Sequence, residues 1–355
     1  LSLRFHFDPK PAARRLVTWY RQQARPLPWR VLFKEHGDAY HIWVSEIMLQ
    51  QTVIKAVIPA YERFLKAYPT VRHLAAADEE SLRLVVRGLG YYRRFDFLLK
   101  AARVVQQDFG GRLPVTYDEW RMLPGIGDYT AAAISSIAFG EKAAVVDGNV
   151  ERVFCRLLDI RQPPNLPVLK KEFQRLAREF LYERDPGSFN QGIMELGQTV
   201  CTVTQPDCGS CPLAESCLAR QHSTQHLAPA PKIKKAYEEL AMRLHILRYR
   251  GRIGLVRRPA GAKFLGGTRG FCTEVSQGDN YHWDGALKLR TGKQTRAGAV
   301  RHTITHHKIS AEVLLHDVTR DATADIQWLD PDVVDENLVS NLDRKAWRLV
   351  QNSGI

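Results

Sequence analysis

Two hydrophobic patterns divide the chain, and the change falls near residue 235. Before it, apolar residues recur three or four positions apart. That spacing predicts helices over 12–21, 40–52, 54–67, 78–88, 93–108, 116–122, 128–139, 148–158, 168–182 and 187–199. Gly, Pro, Asp or Asn separates most of these runs. Leu27-Pro28-Trp29-Arg30 breaks the first of them, and a polar loop is expected from there to about Asp38. No strand is expected before residue 235, so the first 217 residues read as all-α. Beyond it, alternation over 243–249, 253–257, 298–305 and 310–316 predicts β-strands. Residues 219–236 are polar, contain Pro229 and Pro231, and read as a linker. The expected organisation is multidomain: an all-α domain over 1–218, the linker, and a smaller α+β domain over 237–355.

Length and composition agree with this division. A chain of 355 residues suits two cores better than one, and 45% hydrophobic with 25% charged residues is a globular composition. No apolar run approaches a membrane span, and residues 1–25 lack a signal-peptide pattern. A cytoplasmic site of action is therefore expected. The formal charge of +13 calls for a polyanionic partner. The charge is uneven: Lys232–Cys272 holds eleven Lys/Arg against two Glu, while Asp317–Asp343 holds eight Asp/Glu against one Arg.

Candidate chemistry concentrates in residues 123–153. Gly125 and Gly127 form a turn that opens a helix, and a helix N-terminus with an approachable backbone suits an anion. Asp147 follows the apolar run 143–146 and precedes another helix, a position where it either caps that helix or serves chemistry. Four of the six cysteines, Cys201, Cys208, Cys211 and Cys217, lie within seventeen residues, whereas Cys155 and Cys272 stand alone. Such a loop holds either a [4Fe–4S] cluster or a structural zinc, and spacing alone does not choose between them.

The arrangement C-x6-C-x2-C-x5-C after a helical domain resembles the cluster loop of the endonuclease III superfamily of helix-hairpin-helix DNA glycosylases. The resemblance implies a [4Fe–4S] cluster on these four cysteines and a phosphate grip at Gly125 and Gly127. In bifunctional members a Lys stands where this chain has Tyr129. A phenol forms no imine with the sugar C1′, which implies base release without strand cleavage. Residues 45–52, 88–92 and 146–150 are similar to the adenine glycosylase branch, the MutY type, and the likeness runs over 16–218. It implies a monofunctional DNA N-glycosylase that flips and hydrolytically removes adenine mispaired with 8-oxoguanine or G, initiating base excision repair. Its expected partner is double-stranded DNA carrying such mispairs, with a monomeric protein near the nucleoid.

The residue roles implied by this likeness are specific. Glu46 acts as acid and base, with Trp43 and Ile47 beside it to raise its pKa, and Asp147 stabilises an oxocarbenium-like sugar. Tyr129 and Asn149 orient Asp147. Gln51, Leu89 and Tyr91 enter the base stack, while Leu27, Trp29, Arg30 and Gln191 surround the flipped adenine. Each has a plainer reading: Glu46 as an exposed helix carboxylate, Asp147 as a cap, Trp29 and Tyr129 as core. Residues 251–259 resemble the opening strands of the Nudix-like domain of MutY-type enzymes. The Glu-rich Nudix helix is missing, which opposes nucleotide hydrolysis and implies a trimmed lesion-recognition domain. Ile304-Thr305-His306 aligns with the family's Phe-Ser-His lesion-reading turn, with Thr305 and His306 as DNA contacts. Two competing functions are a bifunctional pyrimidine-lesion glycosylase/lyase and a non-catalytic iron–sulfur DNA-binding module.

Overall fold

The computed structural model describes residues 2–354 apart from 234–235, 260, 263, 265, 278–279, 284–290, 305 and 319–325. The backbone divides into two compact units, Leu1–Ala76 with Asp96–Lys234 and Ala77–Phe95 with Lys235–Ile355. The helices run in order as α1 (Pro9–Gln23), α2 (Pro28–His36), α3 (Ala39–Leu49), α4 (Ile54–Ala67), α5 (Val71–Ala75), α6 (Glu79–Val85), α7 (Arg93–Asp108), α8 (Tyr117–Met122), α9 (Asp128–Phe139), α10 (Gly148–Leu157), α11 (Pro167–Phe180), α12 (Pro186–Thr199) and α13 (Leu218–Gln221). Among these, α6 belongs to the second unit.

The first unit is helical because its turns carry the right caps. Asp8, Asp38, Asp147 and Asp185 each sit at an N-cap and accept backbone N–H bonds from the first turn. Thr116 and Glu119 make a reciprocal capping box on α8. The loop expected over 28–38 is instead α2. Pro28 occupies the first helical turn, where its missing N–H costs nothing, and Gly37 ends the helix at φ 67°. A polar composition there marks the wet side of a short helix rather than a loop. One core gathers Leu16 and Val17 of α1, Ala132 and Ala133 of α9, Phe154 of α10, Phe173 and Phe180 of α11, and Phe189 and Ile193 of α12. Helix α3 is buried on nearly every side, which explains its weak amphipathic signal, and its Trp43 packs edge-on to Trp120 of α8 at 5.3 Å.

The stretch expected as a linker is bound to the helical unit through residue 233. Arg156 donates to the carbonyls of Gln225 and Ala228, Lys232 pairs with Glu151 at 2.8 Å, and Asn165 donates to the Ile233 carbonyl. Polar composition here reflects hydrogen-bonding partners rather than a free tether.

The second unit is α+β. Its strands are β1 (Glu238–Tyr249), β2 (Arg252–Arg257), β3 (Arg269–Gly270), β4 (Cys272–Gln277), β5 (Asn280–Trp283), β6 (Thr291–Ile304), β7 (His307–Val318) and β8 (Ile326–Leu329). The sheet is mixed. β1 runs parallel to β7, with Leu244 opposite Val313, and antiparallel to β2 and β4; β6 and β7 form a long hairpin. Helices α14 (Val334–Asn337) and α15 (Asn341–Asn352) close the chain. Leu342, Ala346, Trp347 and Val350 of α15 pack with the inward residues of β1 and β7. Arg258 and Asp343 form a buried ion pair at 2.7 Å against Gly270, where any Cβ would collide with both.

Residues 77–95 were expected to continue the helical domain but pack within this second unit. Asp78 caps α6, Glu80 pairs with Arg257 at 2.6 Å and Arg269 at 3.0 Å, and Arg87 donates to the Glu336 carbonyl. These partners are some 170–250 positions away, beyond the reach of any local pattern.

Candidate active site

The carboxylates Glu46 and Asp147 come from different elements of the first unit. Glu46 lies on the last turns of α3 and is only 7% exposed, so the plain reading as a surface carboxylate fails. Burial raises its pKa from 4.5 to about 7. The Asp147 charge pushes in the same direction, while a hydrogen bond with Tyr129 and the nearby Arg30 guanidinium pull the other way. The carboxyl is thus held near the point where it exchanges a proton at neutral pH.

Asp147 is an N-cap and more. Its Oδ1 accepts from the backbone N–H of Asn149 at 2.9 Å and Val150 at 2.8 Å, and its Oδ2 accepts from Asn149 Nδ2 at 2.7 Å. Every one of these donors fixes the carboxylate in one orientation. The apolar run before it is pinned by Asn190 of α12, which is fully buried. Its Oδ1 accepts from Val145 N at 3.2 Å, and its Nδ2 donates to the Ala143 carbonyl at 2.7 Å and Ser136 Oγ at 2.8 Å.

Tyr129, on the first turn of α9, differs from its expected role. Its hydrogen bond goes to Glu46, and its interaction with Asp147 is electrostatic. Burial raises its pKa well above 10, so it stays a neutral phenol. The hydroxyl also lies 3.0 Å from Met194 Sδ. Asn149, not Tyr129, is the hydrogen-bonding partner that orients Asp147.

Arg30, on the otherwise unforeseen α2, donates through Nε to Gln191 Oε1 at 3.1 Å and through Nη2 to Glu195 Oε2 at 3.0 Å. Burial alone would raise the pKa of Glu195, but Arg25 and Arg30 hold it below the usual carboxylate range. Arg30 and Gln191 are thereby joined across α2 and α12. Trp29 is buried against Tyr61 at 5.5 Å, and Leu27 is buried as well.

The turn Leu123–Gly127 links α8 to α9. Gly125 has φ 77°, and a Cβ there would collide with Phe97. Gly127 caps α9 with no side chain in the way, leaving the helix's first N–H groups toward solvent. Gln51 is exposed at φ 57° just beyond α3.

In the second unit, Tyr91 is 49% exposed at φ 45°, whereas Leu89 is 8% exposed. Tyr91 is therefore the more exposed apolar side chain of this turn. His306 faces Glu238 at 3.5 Å, and Thr305 lies outside the described residues.

Cys201, Cys208, Cys211 and Cys217 line one small cavity with Arg156 and Arg220. Four thiols around one cavity suit either a [4Fe–4S] cluster or a tetrahedral zinc. Burial raises the Cys211 thiol to about 12, and the neighbouring thiols push it the same way. Such a site holds thiolates only if positive charge fills it.

Two arginines of α10 were missed. Arg152 donates to Asn149 Oδ1 at 2.9 Å, the Gly197 carbonyl at 2.6 Å and the Cys201 carbonyl at 2.8 Å. Arg156 donates to Cys201 Sγ at 3.3 Å and to the carbonyls of Thr202 and Val203. Together they tie the cysteine loop to the helix that Asp147 caps. Their four-residue spacing put both on one helix face, a signal that was available.

Residues 44–179 match the family described as HhH-GPD superfamily base excision DNA repair protein. The chain is 44% identical over 215 residues to the adenine DNA glycosylase of Homo sapiens, covering 59% of this chain and 39% of that protein. It is 31% identical over 235 residues to the adenine DNA glycosylase of Buchnera aphidicola subsp. Schizaphis graminum, covering 66% and 67%. A thymine-DNA glycosylase of Aeropyrum pernix is 32% identical over 210 residues, covering 58% and 92%. Among solved structures, a thermostable thymine-DNA glycosylase superposes with a TM-score of 0.53 at 29% identity, covering 61% of this chain and 97% of that one. The chain matches less than half the length of the human relative.

Proposed function

Because the chain belongs to the HhH-GPD superfamily of base excision DNA repair proteins, in its adenine DNA glycosylase branch, we propose that it releases adenine from duplex DNA by hydrolysis of the N-glycosidic bond. The observation that carries this reading is Glu46: a buried carboxyl raised to about 7, bonded to Tyr129 and beside the oriented carboxylate of Asp147. Adenine is a poor anionic leaving group. Protonated Glu46 gives its proton to the purine, the C1′–N9 bond breaks with both electrons leaving on the base, and Asp147 offsets the positive charge on the sugar. Water then adds to C1′ and returns a proton to Glu46. Tyr129 carries no amine, so no imine forms and the strand stays intact.

Arg30 and Gln191 are the candidates to read the flipped base, and Gln51 and Tyr91 to fill or open the stack. Gly125 and Gly127 present backbone N–H groups to a DNA phosphate. The four cysteines would hold a [4Fe–4S] cluster, and Arg152 and Arg156 tie the loop 201–217 to α10. The mispairs proposed are adenine opposite 8-oxoguanine or G, with residues 235–355 reading the lesion and His306 and Thr305 as contacts. The thymine-DNA glycosylase relatives give the second reading, removal of thymine from duplex DNA.

The test is a single-turnover assay on duplexes carrying A opposite 8-oxoguanine, A opposite G, and T opposite G, with alkali to reveal abasic sites and borohydride to trap an imine. Adenine release without a trapped adduct is expected. Release of thymine only, or a borohydride adduct, would overturn the proposal. Iron and sulfide without zinc in the purified protein are expected at the cysteine loop.

A further inference from the structure

Residues 88–91 form a turn with three positive φ angles: Gly88 at 89°, Gly90 at 67° and Tyr91 at 45°. A Cβ at either glycine would meet nothing within 4 Å, so glycine is required there by backbone conformation rather than by space. Tyr91 adopts the same left-handed region with a full aromatic side chain, a strained conformation for a residue with a Cβ. Strain of this kind persists only when surrounding contacts hold it. Here it projects a half-exposed aromatic from a protein of net charge +13, a combination suited to stacking on a base.

Part of what holds it comes from the far end of the sequence. The Tyr92 hydroxyl accepts a hydrogen bond from the Gly88 N–H at 2.9 Å and donates one to the Val339 carbonyl at 2.9 Å. Tyr92 is buried, and burial keeps its phenol neutral, so both bonds persist over the working pH range. Beside it Arg87 donates to the Glu336 carbonyl, and Asp335 fixes Arg344 at 2.8 Å. The segment 335–344 is in turn seated by Asp343 on buried Arg258. Local bonds brace the turn, from Leu89 N–H to the Val86 carbonyl and from Arg94 to the Leu89 carbonyl, and Tyr92 adds a tie to the α14–α15 segment.

We infer that Tyr92 is a positioning residue: its hydroxyl fastens the Tyr91 turn to residues 335–344, so that the sheet-bearing unit sets how firmly Tyr91 enters a base stack. This inference rests on the proposed action on duplex DNA. It gives residues 335–344 a role in base extrusion in addition to any role in lesion reading. The energetic logic is that unstacking a paired base needs a rigid wedge, because a wedge that yields leaves the base in the helix.

The experiment uses the full, cluster-loaded chain and a duplex with 2-aminopurine beside the target adenine. With Tyr92→Phe, which preserves the ring and removes both hydrogen bonds, the fluorescence rise on base extrusion and the single-turnover release are expected to slow about tenfold. On a duplex whose flanking pairs are mismatched, already unstacked, release is expected within twofold of the unaltered protein, with an unchanged pH profile. Arg87→Ala, which loosens the same segment through Glu336, is expected to slow the intact duplex in the same selective way. Equal slowing on both duplexes, or none on either, overturns the inference. If the unaltered protein neither unstacks the probe nor releases adenine, the functional proposal fails instead.

Discussion

Glu46→Gln separates the chemistry of the buried carboxyl from its energetic burden. In the folded protein the Glu46 pKa is about 7 against 4.5 when unburied. The unfolded chain therefore ionises first as pH rises. Below about pH 4.5 both states are protonated and the group costs nothing. Between 4.5 and 7 stability falls by about 1.4 kcal/mol per pH unit, and above 7 the loss levels off at roughly 3 kcal/mol. Gln keeps the shape and still accepts from Tyr129 but carries no charge. The variant is expected to exceed the unaltered protein by less than about 1 kcal/mol at pH 5, rising to about 3 kcal/mol at pH 8. For a unit of this size that is a rise of about 6–12 °C in Tm. Thermal scans at matched rate from pH 5 to 8.5 read it directly. Adenine release by the unaltered protein should fall tenfold per pH unit above about 7, as the acid form is lost, and the variant should release almost none. A stability difference that does not change with pH, or a release rate flat to pH 9, would refute the reasoning.

Other perturbations have equally definite outcomes. Asp147→Asn is expected to abolish release while leaving stability within about 0.5 kcal/mol, because Asn caps a helix as well as Asp does; urea denaturation paired with the glycosylase assay checks both. Gly125→Ala forces a side chain into a left-handed turn against Phe97, and should weaken duplex binding at least tenfold in a fluorescence-anisotropy titration. Asp343→Ala leaves the buried Arg258 charge unpaired; a loss of roughly 3–5 kcal/mol is expected, read as early melting of the sheet-bearing unit by circular dichroism.

Local physics made most helices legible. Caps and apolar spacing placed α4, α7 and α9 at 54–67, 93–108 and 128–139 with the bounds later observed. The same local reasoning missed α2, where a proline that starts a helix looks like one that ends it, and the short strands β3, β4, β5 and β8, whose pairing is non-local. It also missed α15, whose surroundings read as an acidic edge.

The sequence by itself determined the residue types that carry chemistry: a carboxylate within an apolar helix, an Asp before a helix start, a phenol in place of an amine, and four closely spaced thiols. These follow from local composition and spacing, which a one-dimensional pattern preserves. Tertiary structure decided what those groups become. Glu46 acquires its raised pKa only because other helices exclude water from it. Asp147 gains a single orientation from Asn149, itself held by Arg152, which also grips the cysteine loop near residue 201. Leu89 is buried while Tyr91, two residues on, is exposed, and residues near 339 help hold their turn in place. Burial, charge coupling and long-range hydrogen bonds depend on which segments meet, and spacing along a chain does not encode distance in space.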